Sequence, residues 1–244
     1  MLENYSNGRP TVAFAGLTAA GKTTHAKILA EELGFEYISA TDIILDILQI
    51  RETTPDRVWF SSYDKIEQAR KDDRIDIELE SRITNITDKQ DGLVLDTWAM
   101  AWIYSGTMPM VRLWIESDED SRTRKCYVSQ GTNKTLDMDD CRKLVTKKDT
   151  DTRIKFQRRL GFDIFTDRER YDIIFNNTML IPEATEEVAR EGIKVFRKVM
   201  LKAVKYCISN IIKPNYDPNN ELGRSIIEGS NGMITRIRNI NNYD

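Results

Sequence analysis

Histidine and cysteine are scarce in this sequence, which limits the chemistry it can support. The 244 residues include 1 histidine and 3 cysteines. With His25 alone, neither a zinc site nor a nucleophile triad built on histidine is expected. Cys126, Cys141 and Cys207 lack metal-type spacing, and their odd number argues against a disulfide framework. They indicate a reducing compartment, and we expect a cytoplasmic protein.

Long apolar runs and a strong excess of one charge are also missing. No segment approaches the roughly 20 apolar residues that span a bilayer, and the first ten residues lack the apolar core of a signal peptide. The formal net charge is −3, so the chain as a whole has no attraction for nucleic acid. We therefore expect neither a membrane partner nor a specific nucleic-acid partner.

One glycine-rich motif near the start organises the rest of the chain. An apolar, β-prone run from Thr11 precedes it, and a helix with apolar positions at helical spacing is predicted to follow over 22–33. Strand, loop and helix are the context in which such a loop holds nucleotide phosphates, with its backbone N–H groups turned toward the anion. The motif predicts ATP binding by Gly16, Leu17, Thr18, Ala19, Ala20, Gly21, Lys22, Thr23 and Thr24.

Short apolar runs alternate with helical periodicity along most of the chain. This alternation predicts an α/β fold of the P-loop NTPase type, a three-layer sandwich with a five-stranded parallel sheet and helices on both faces. The predicted strands lie near 11–15, 35–39, 92–96, 111–115 and 171–175. Ligands of such sheets bind at the carboxyl ends of the strands. The loop, Asp42 and Asp96 follow three of these strands and should meet in one crevice.

The domain organisation follows from changes in composition. Residues 1–206 are expected to form one domain around the glycine-rich loop, with a polar insertion at about 42–90. A lid is expected at about 130–163, where 142–159 is markedly basic. That run is either a solvated helix face or a cover for an anion. The extension 207–244 is Asn-rich, and it either packs on the domain or contacts a partner, including a second copy of the chain.

The motifs and their order along the chain resemble those of the cytidylate kinase-like branch of the nucleoside monophosphate kinases. The resemblance covers about 11–200. The segment 39–43 (Ser-Ala-Thr-Asp-Ile) stands where that family has a Ser-Ala-Gly-Asp-Ile type sequence, and the lid pattern is matched at 148–149, 155–156 and 161–163. Two differences concern phosphate contacts. Trp98 replaces the arginine of the family's Gly-Arg pair, and Lys148 and Lys155 replace the lid arginines.

The resemblance implies ATP-dependent phosphate transfer with Mg²⁺, most specifically to CMP or dCMP. It makes 1–206 a P-loop kinase domain and the insertion at about 42–90 its acceptor-binding part. Lys22 would hold the ATP phosphates, and Thr23 and Asp96 would serve the metal ion. Asp42 would orient the acceptor, with Trp98 or Trp102 packing against it. The lid cations expected to clamp the transferring group are Arg122, Lys148, Arg153 and Lys155.

Each of these assignments has an alternative. Asp42 or its neighbour Thr41 is a possible helix N-cap, Trp102 a possible core residue, and Arg122 a possible surface partner of Asp118 at i,i+4 spacing. The chain is alternatively a kinase for a different small acceptor, because an arginine suited to hold phosphate is missing at position 98. A third alternative is an ATP-binding switch without an acceptor.

Overall fold

The computed structural model describes residues 8–50, 63–132, 134–211 and 221–238. The predicted insertion, lid and C-terminal extension are therefore each described in part. Residues 51–62 of the insertion, residue 133 of the lid, and residues 212–220 and 239–244 of the extension lie outside the described ranges.

A six-stranded sheet in the order β2-β3-β1-β4-β5-β6 forms the centre of the described chain. The first five strands pair in parallel, as predicted, whereas β6 runs antiparallel to β5. The predicted count of five strands omitted β6, whose residues carry only a short apolar patch within the extension. The strands are β1 (Thr11–Gly16), β2 (Glu36–Ser39), β3 (Leu93–Asp96), β4 (Met110–Glu116), β5 (Ile173–Asn176) and β6 (Ile234–Ile237).

Helices connect the strands and cover the sheet. The described helices are α1 (Lys22–Leu33), α2 (Ala40–Ile47), α3 (Tyr63–Ala69), α4 (Arg74–Lys89), α5 (Met100–Ile103), α6 (Glu119–Ser129), α7 (Met138–Leu160), α8 (Glu186–Ile211) and α9 (Glu221–Glu228). A short 3₁₀ turn, Thr178–Leu180, precedes α8. None of the helices in the described ranges combines the length and the apolar character needed to cross a membrane.

Alternate residues of β1 point to opposite faces of the sheet, so both faces are buried. Val12 and Phe14 pack in a core with apolar residues of α1, α8 and α9. Ala13 packs on the other face in a core that includes residues of α2 and α4. All six residues of β1 are buried, as expected for a central parallel strand. The predicted three-layer arrangement is confirmed.

The carboxyl ends of three neighbouring strands meet at one edge. In the strand register Phe14 of β1 lies beside Asp96 of β3, and Ser39 of β2 lies on the other side of Asp96. Because β1 continues directly into the glycine-rich loop, this register brings the loop and Asp96 together.

Candidate active site

The glycine-rich loop joins the end of β1 to the start of α1. A side chain at Gly16 would place a Cβ 2.6 Å from the carbonyl oxygen of Ile115, so the close approach of β1 and β4 requires glycine there. Gly21 adopts a φ of 93°, a conformation that residues with a Cβ rarely accept. The loop geometry therefore depends on both glycines of the motif.

Lys22 lies inside the loop that it belongs to. Its Nζ donates hydrogen bonds to the carbonyl oxygens of Gly16 and Leu17, each at 3.0 Å. The same ammonium lies 4.5 Å from the ring centroid of Trp98. Burial lowers the pKa of Lys22 to about 8, a shift partly opposed by the carboxylates of Asp96 and Asp149. The loop thus holds a poorly solvated cation whose charge an incoming anion would stabilise.

Thr23 and Asp96 are in direct contact at the edge of the sheet. The Thr23 hydroxyl donates to Oδ2 of Asp96 at 2.6 Å, and the Tyr37 hydroxyl donates to the same oxygen at 3.1 Å. Burial and the Asp96 carboxylate raise the pKa of Tyr37, which keeps the phenol protonated as a donor. A hydroxyl and a carboxylate are therefore adjacent beside the loop.

Arg122 of α6 ties the loop to helix α7. Its guanidinium forms an ion pair with Asp149 of α7 and donates to the carbonyl oxygens of Thr18, at 3.2 Å, and Ser117, at 3.1 Å. Asp149 in turn accepts a hydrogen bond from the Thr18 N–H at 3.1 Å. Arg122 is buried, so its interpretation as a surface partner of Asp118 was wrong: its carboxylate partner is Asp149.

One face of α7 covers the loop and the space beside it. Side chains spaced by three and four residues share a helix face, and those that face inward are Lys148, Thr152, Lys155, Phe156 and Arg159. Lys148 is partly buried near Lys22, and burial lowers its pKa to about 7. Arg153 lies on a different face of α7, where it is exposed and paired with Asp163.

Two of the cavities among the described residues share Lys22 and Thr23 of the loop. The insertion-side cavity, about 220 Å³, lies between the loop, α2, α3, α4 and α7, and the α6-side cavity, about 470 Å³, lies between the loop, α6, α7 and α8. The residues that line both cavities are Thr18, Ala19, Lys22, Thr23, Thr41 and Lys148. Two molecules can therefore occupy separate cavities and approach each other next to two lysines.

The two predicted acceptor-side tryptophans pack against the same aromatic cluster but differ in their contact with the insertion-side cavity. Trp98 lines the insertion-side cavity. Trp102 instead stacks on Phe162, with ring centroids 4.3 Å apart, and its indole N–H donates to the Tyr171 hydroxyl at 3.2 Å. The structure thus brings Trp98 to the cavity and packs Trp102 in the aromatic cluster behind it.

Asp42 lies near the cavity but not among its lining residues. It is exposed in the first turn of α2, while its neighbour Thr41 lines both cavities. The N-cap of α2 is Ser39, whose hydroxyl accepts the Asp42 N–H at 3.1 Å. The interpretation of Thr41 or Asp42 as the N-cap was therefore wrong, because the cap lies two residues before Thr41 and three before Asp42.

A network of paired charges at the far end of the insertion-side cavity was not predicted. Arg70 donates to Glu67 at 2.6 Å and to Asp76 at 3.1 Å. Lys155 donates to Glu67 at 2.7 Å. Arg159 makes two parallel hydrogen bonds to Glu80, at 2.8 and 2.9 Å. Sequence patterns identify 63–82 only as a polar covering element. The pattern of charged residues is the same whether such a helix faces solvent or a cavity.

Comparison with known proteins places the chain in a family. Residues 11–179, more than half of the chain, match the model of the cytidylate kinase-like family. The cytidylate kinase of Natronomonas pharaonis is 24% identical over 185 residues, covering 76% of this chain and 90% of the relative. That of Halorubrum lacusprofundi is 26% identical over 218 residues, covering 89% and 96%.

A solved structure agrees with the fold. An uncharacterized protein from Eubacterium ventriosum superposes with a TM-score of 0.53 at 14% identity, covering 81% of this chain and 99% of that one. At this identity the likeness supports the fold alone. Together with the glycine-rich loop and the two cavities that meet at it, the family match shows that this chain is a phosphotransferase of the cytidylate kinase-like family.

Proposed function

We propose that this enzyme transfers the γ-phosphate of ATP to a pyrimidine nucleoside monophosphate, CMP or dCMP. The observation that carries the proposal is the meeting of two cavities at Lys22, Thr23 and Lys148. Transfer between two bound nucleotides needs two binding sites that share one cationic junction. A hydrolase that acts on ATP alone needs only one nucleotide-binding site.

ATP is assigned to the α6-side cavity. Every residue from Thr18 to Thr24 lines it, including the first residues of α1, whose free N–H groups favour phosphate. The cavity continues past Val145 and Ile181, which offer apolar contact to a base. The insertion-side cavity is left for the acceptor, whose phosphate would enter at the junction with Lys22 and Lys148.

Thr23 and Asp96 suit a magnesium ion bound with the ATP phosphates. No group of three or more carboxylate, imidazole or thiol side chains is arranged to hold a metal ion in the part of the chain described here. Magnesium in kinases takes most of its ligands from phosphates and water, with one or two from the protein. The hydroxyl of Thr23 and the carboxylate of Asp96, 2.6 Å apart, match that requirement. The bound ion would supply charge neutralisation.

The side chains at the junction would act through position and charge. Phosphate transfer asks for little covalent chemistry from the protein, so its main contribution is to align the reactants and to stabilise negative charge. Lys22 and Lys148 supply that stabilisation from poorly solvated sites, where a charge interacts more strongly than in water. Helix α7 covers the junction and keeps water from competing with the acceptor.

A kinase for another small acceptor is the second candidate. Trp98 lines the insertion-side cavity where the family pattern has a phosphate-binding arginine. Arg70, the nearby arginine from the insertion, is already paired with Glu67 and Asp76. An acceptor with a hydroxyl or another polar group in place of the phosphate is compatible with both facts.

An acceptor panel tests the proposal. ADP formation is measured with Mg-ATP and CMP, dCMP, UMP, AMP, GMP or no acceptor. We expect strong stimulation by CMP or dCMP, and loss of that stimulation in Lys22→Ala with a far-ultraviolet circular dichroism spectrum like that of the unmodified protein. Slow ADP formation that no nucleotide stimulates would reject the nucleotide acceptor and favour the second candidate.

A further inference from the structure

The side chain of Asn177, directly after β5, contacts the glycine-rich loop from behind. Asn177 is 1% exposed, and its Nδ2 donates a hydrogen bond to the carbonyl oxygen of Ala20 at 2.8 Å. Ala20 and Gly21 line the α6-side cavity, whereas Asn177 is not among its lining residues. Asn177 therefore contacts the loop on the side that faces away from this cavity.

Lys125 of α6 determines which way the Asn177 amide is turned. Its Nζ donates to Oδ1 of Asn177 at 2.6 Å and to the Ser117 hydroxyl at 2.8 Å. A lysine ammonium can only donate a hydrogen bond, and a backbone carbonyl can only accept one. Turning the amide over would therefore place a donor against Lys125 and an acceptor against the Ala20 carbonyl. The amide between these two groups has one favourable orientation.

The hydrogen bond to Ala20 also sets the direction of the next N–H group in the loop. No cis peptide bond occurs in the described ranges, and in a trans peptide unit the carbonyl oxygen and the N–H point in opposite directions. Since the Ala20 carbonyl points toward Asn177, the Gly21 N–H points away from Asn177 and toward the α6-side cavity. An N–H group so placed at the start of α1 is suited to donate to a phosphate.

We propose that Asn177 is a positioning residue for ATP, whose amide orients the Ala20–Gly21 peptide so that the Gly21 N–H donates to a bound phosphate. Lys125 acts one step further back, because it holds the amide. This inference rests on the proposed function. Lys125 also lines the α6-side cavity, so a direct contact between Lys125 and a phosphate is the competing role that the test must separate.

Replacing the amide by a carboxylate removes the contact with the loop alone. Asn177→Asp keeps an acceptor for Lys125 and nearly the same shape, but an ionised carboxylate cannot donate to the Ala20 carbonyl. We expect the KM for ATP and the Kd for Mg-ADP to rise roughly tenfold, with the KM for CMP unchanged. Asn176→Asp is the matched control, because it adds the same charge one residue earlier, where Oδ1 accepts the Thr178 N–H. The control should keep the wild-type values.

A double-mutant cycle separates the two roles of Lys125. Lys125→Met removes the donor that holds the amide, and Asn177→Leu removes the amide itself. If Lys125 acts through Asn177, the double variant should bind Mg-ADP no more weakly than Asn177→Leu alone. Additive losses would show that Lys125 contacts a phosphate directly, which would overturn its role as the support of the amide.

Nuclear magnetic resonance tests the N–H group in the unmodified enzyme. Ala-Gly pairs occur in the sequence only at 15–16 and 20–21, so isotope labelling of alanine carbonyl carbons and glycine nitrogens selects these two amides. The residues that follow them, Leu17 and Lys22, tell them apart. The Gly21 amide proton should move downfield when Mg-ADP is added and stay in place with adenosine, which lacks a phosphate. This measurement decides the question even if the variants do not fold.

The inference is overturned by any of three results. They are a Gly21 amide proton that Mg-ADP leaves in place, an Asn177→Asp variant that binds Mg-ADP as tightly as the unmodified enzyme, or equal rises of the KM for ATP and for CMP in that variant. Equal rises would show a general disturbance of the junction. Failure of the proposed function is distinct: no pyrimidine nucleotide would then be phosphorylated, while the effect of Asn177→Asp on Mg-ADP binding would remain.

Discussion

At the scale of single residues, the site depends on lysines that are poorly solvated and closely supported. Lys22 is held by two loop carbonyl groups and by the face of Trp98. Under the proposed function, Trp98 would therefore support the lysine that holds the ATP phosphates, from the position where the family pattern has an acceptor-side arginine. An arginine at 98 would instead bring a second cation against Lys22.

We predict that the aromatic character of Trp98 matters more for catalysis than the size of its side chain. A cation over an aromatic face gains about 0.5–2 kcal/mol, so Trp98→Leu should lower kcat/KM for ATP by roughly tenfold. Trp98→Tyr keeps an aromatic face and should lose much less, whereas Trp98→Arg should lose the most. Steady-state kinetics compares the three variants, and equal losses in the leucine and tyrosine variants would show that the ring does not support Lys22.

The two lysines also predict proton uptake on nucleotide binding. Burial lowers the pKa of Lys22 to about 8 and that of Lys148 to about 7. Bound phosphates favour the charged forms and raise both pKa values. At pH 8 binding of Mg-ATP should take up on the order of one proton, and affinity should fall as pH rises from 7 to 9.

Calorimetric titration in two buffers of different ionisation enthalpy measures this uptake. Lys148→Met removes the group that is mostly neutral at pH 8 and should reduce the number of protons taken up. Zero uptake at pH 8 in the unmodified enzyme, or the same uptake in the variant, would contradict the assignment of these lysines to the phosphates.

At the scale of secondary-structure elements, α7 combines two functions. Its inward face lines the insertion-side cavity, and Asp149 binds the loop through the Thr18 N–H and Arg122. An ion pair that is largely shielded from solvent therefore helps to hold the helix over the loop.

We predict that this pair contributes far more to stability than the exposed pairs between α6 and α7. Asp149→Ala leaves the buried Arg122 without a carboxylate partner and should lower the free energy of unfolding by about 3 kcal/mol. Arg142 also joins α6 to α7, through Glu119 and Asp120, but it is 44% exposed. Arg142→Ala should therefore cost far less stability than Asp149→Ala. Urea denaturation compares the two, and similar losses would contradict this account.

Sequence patterns predicted the elements that have strong local signals. The five parallel strands and the glycine-rich loop are confirmed, because buried strands and phosphate loops are encoded within a few consecutive residues. Asp149 and Asp76 lie on charged helices, where periodicity does not tell a solvent face from a cavity face. Their partners, Thr18 and Arg122 for Asp149 and Arg70 for Asp76, become neighbours only through the tertiary fold.

At the scale of the whole molecule, a described segment of the C-terminal extension joins the sheet. Strand β6 covers the edge of β5, and Ile226 and Ile234 are buried in the core formed with α1 and α8. The apolar patches of the extension therefore have partners within the chain, although their sequence alone equally suggested a contact with another molecule.

We predict that this packing supports the stability of the kinase domain. Ile234 is 3% exposed, and Ile234→Ala should lower the free energy of unfolding by about 2–4 kcal/mol, the usual cost of such a truncation in a core. Leu222 belongs to the same extension but is 54% exposed, so Leu222→Ala should change stability by less than about 0.5 kcal/mol. Thermal and urea unfolding measure the stability of both variants. An Ile234→Ala variant as stable as the unmodified protein would show that the extension is not part of the core.

Transfer of labelled phosphate tests the central claim most directly. ATP carrying a radioactive γ-phosphate is incubated with the enzyme, Mg²⁺ and CMP, and the products are separated by thin-layer chromatography. The account predicts labelled CDP in amounts equal to the ADP formed, and none with Lys22→Ala. Label found only in inorganic phosphate, at a rate that CMP does not change, would contradict it.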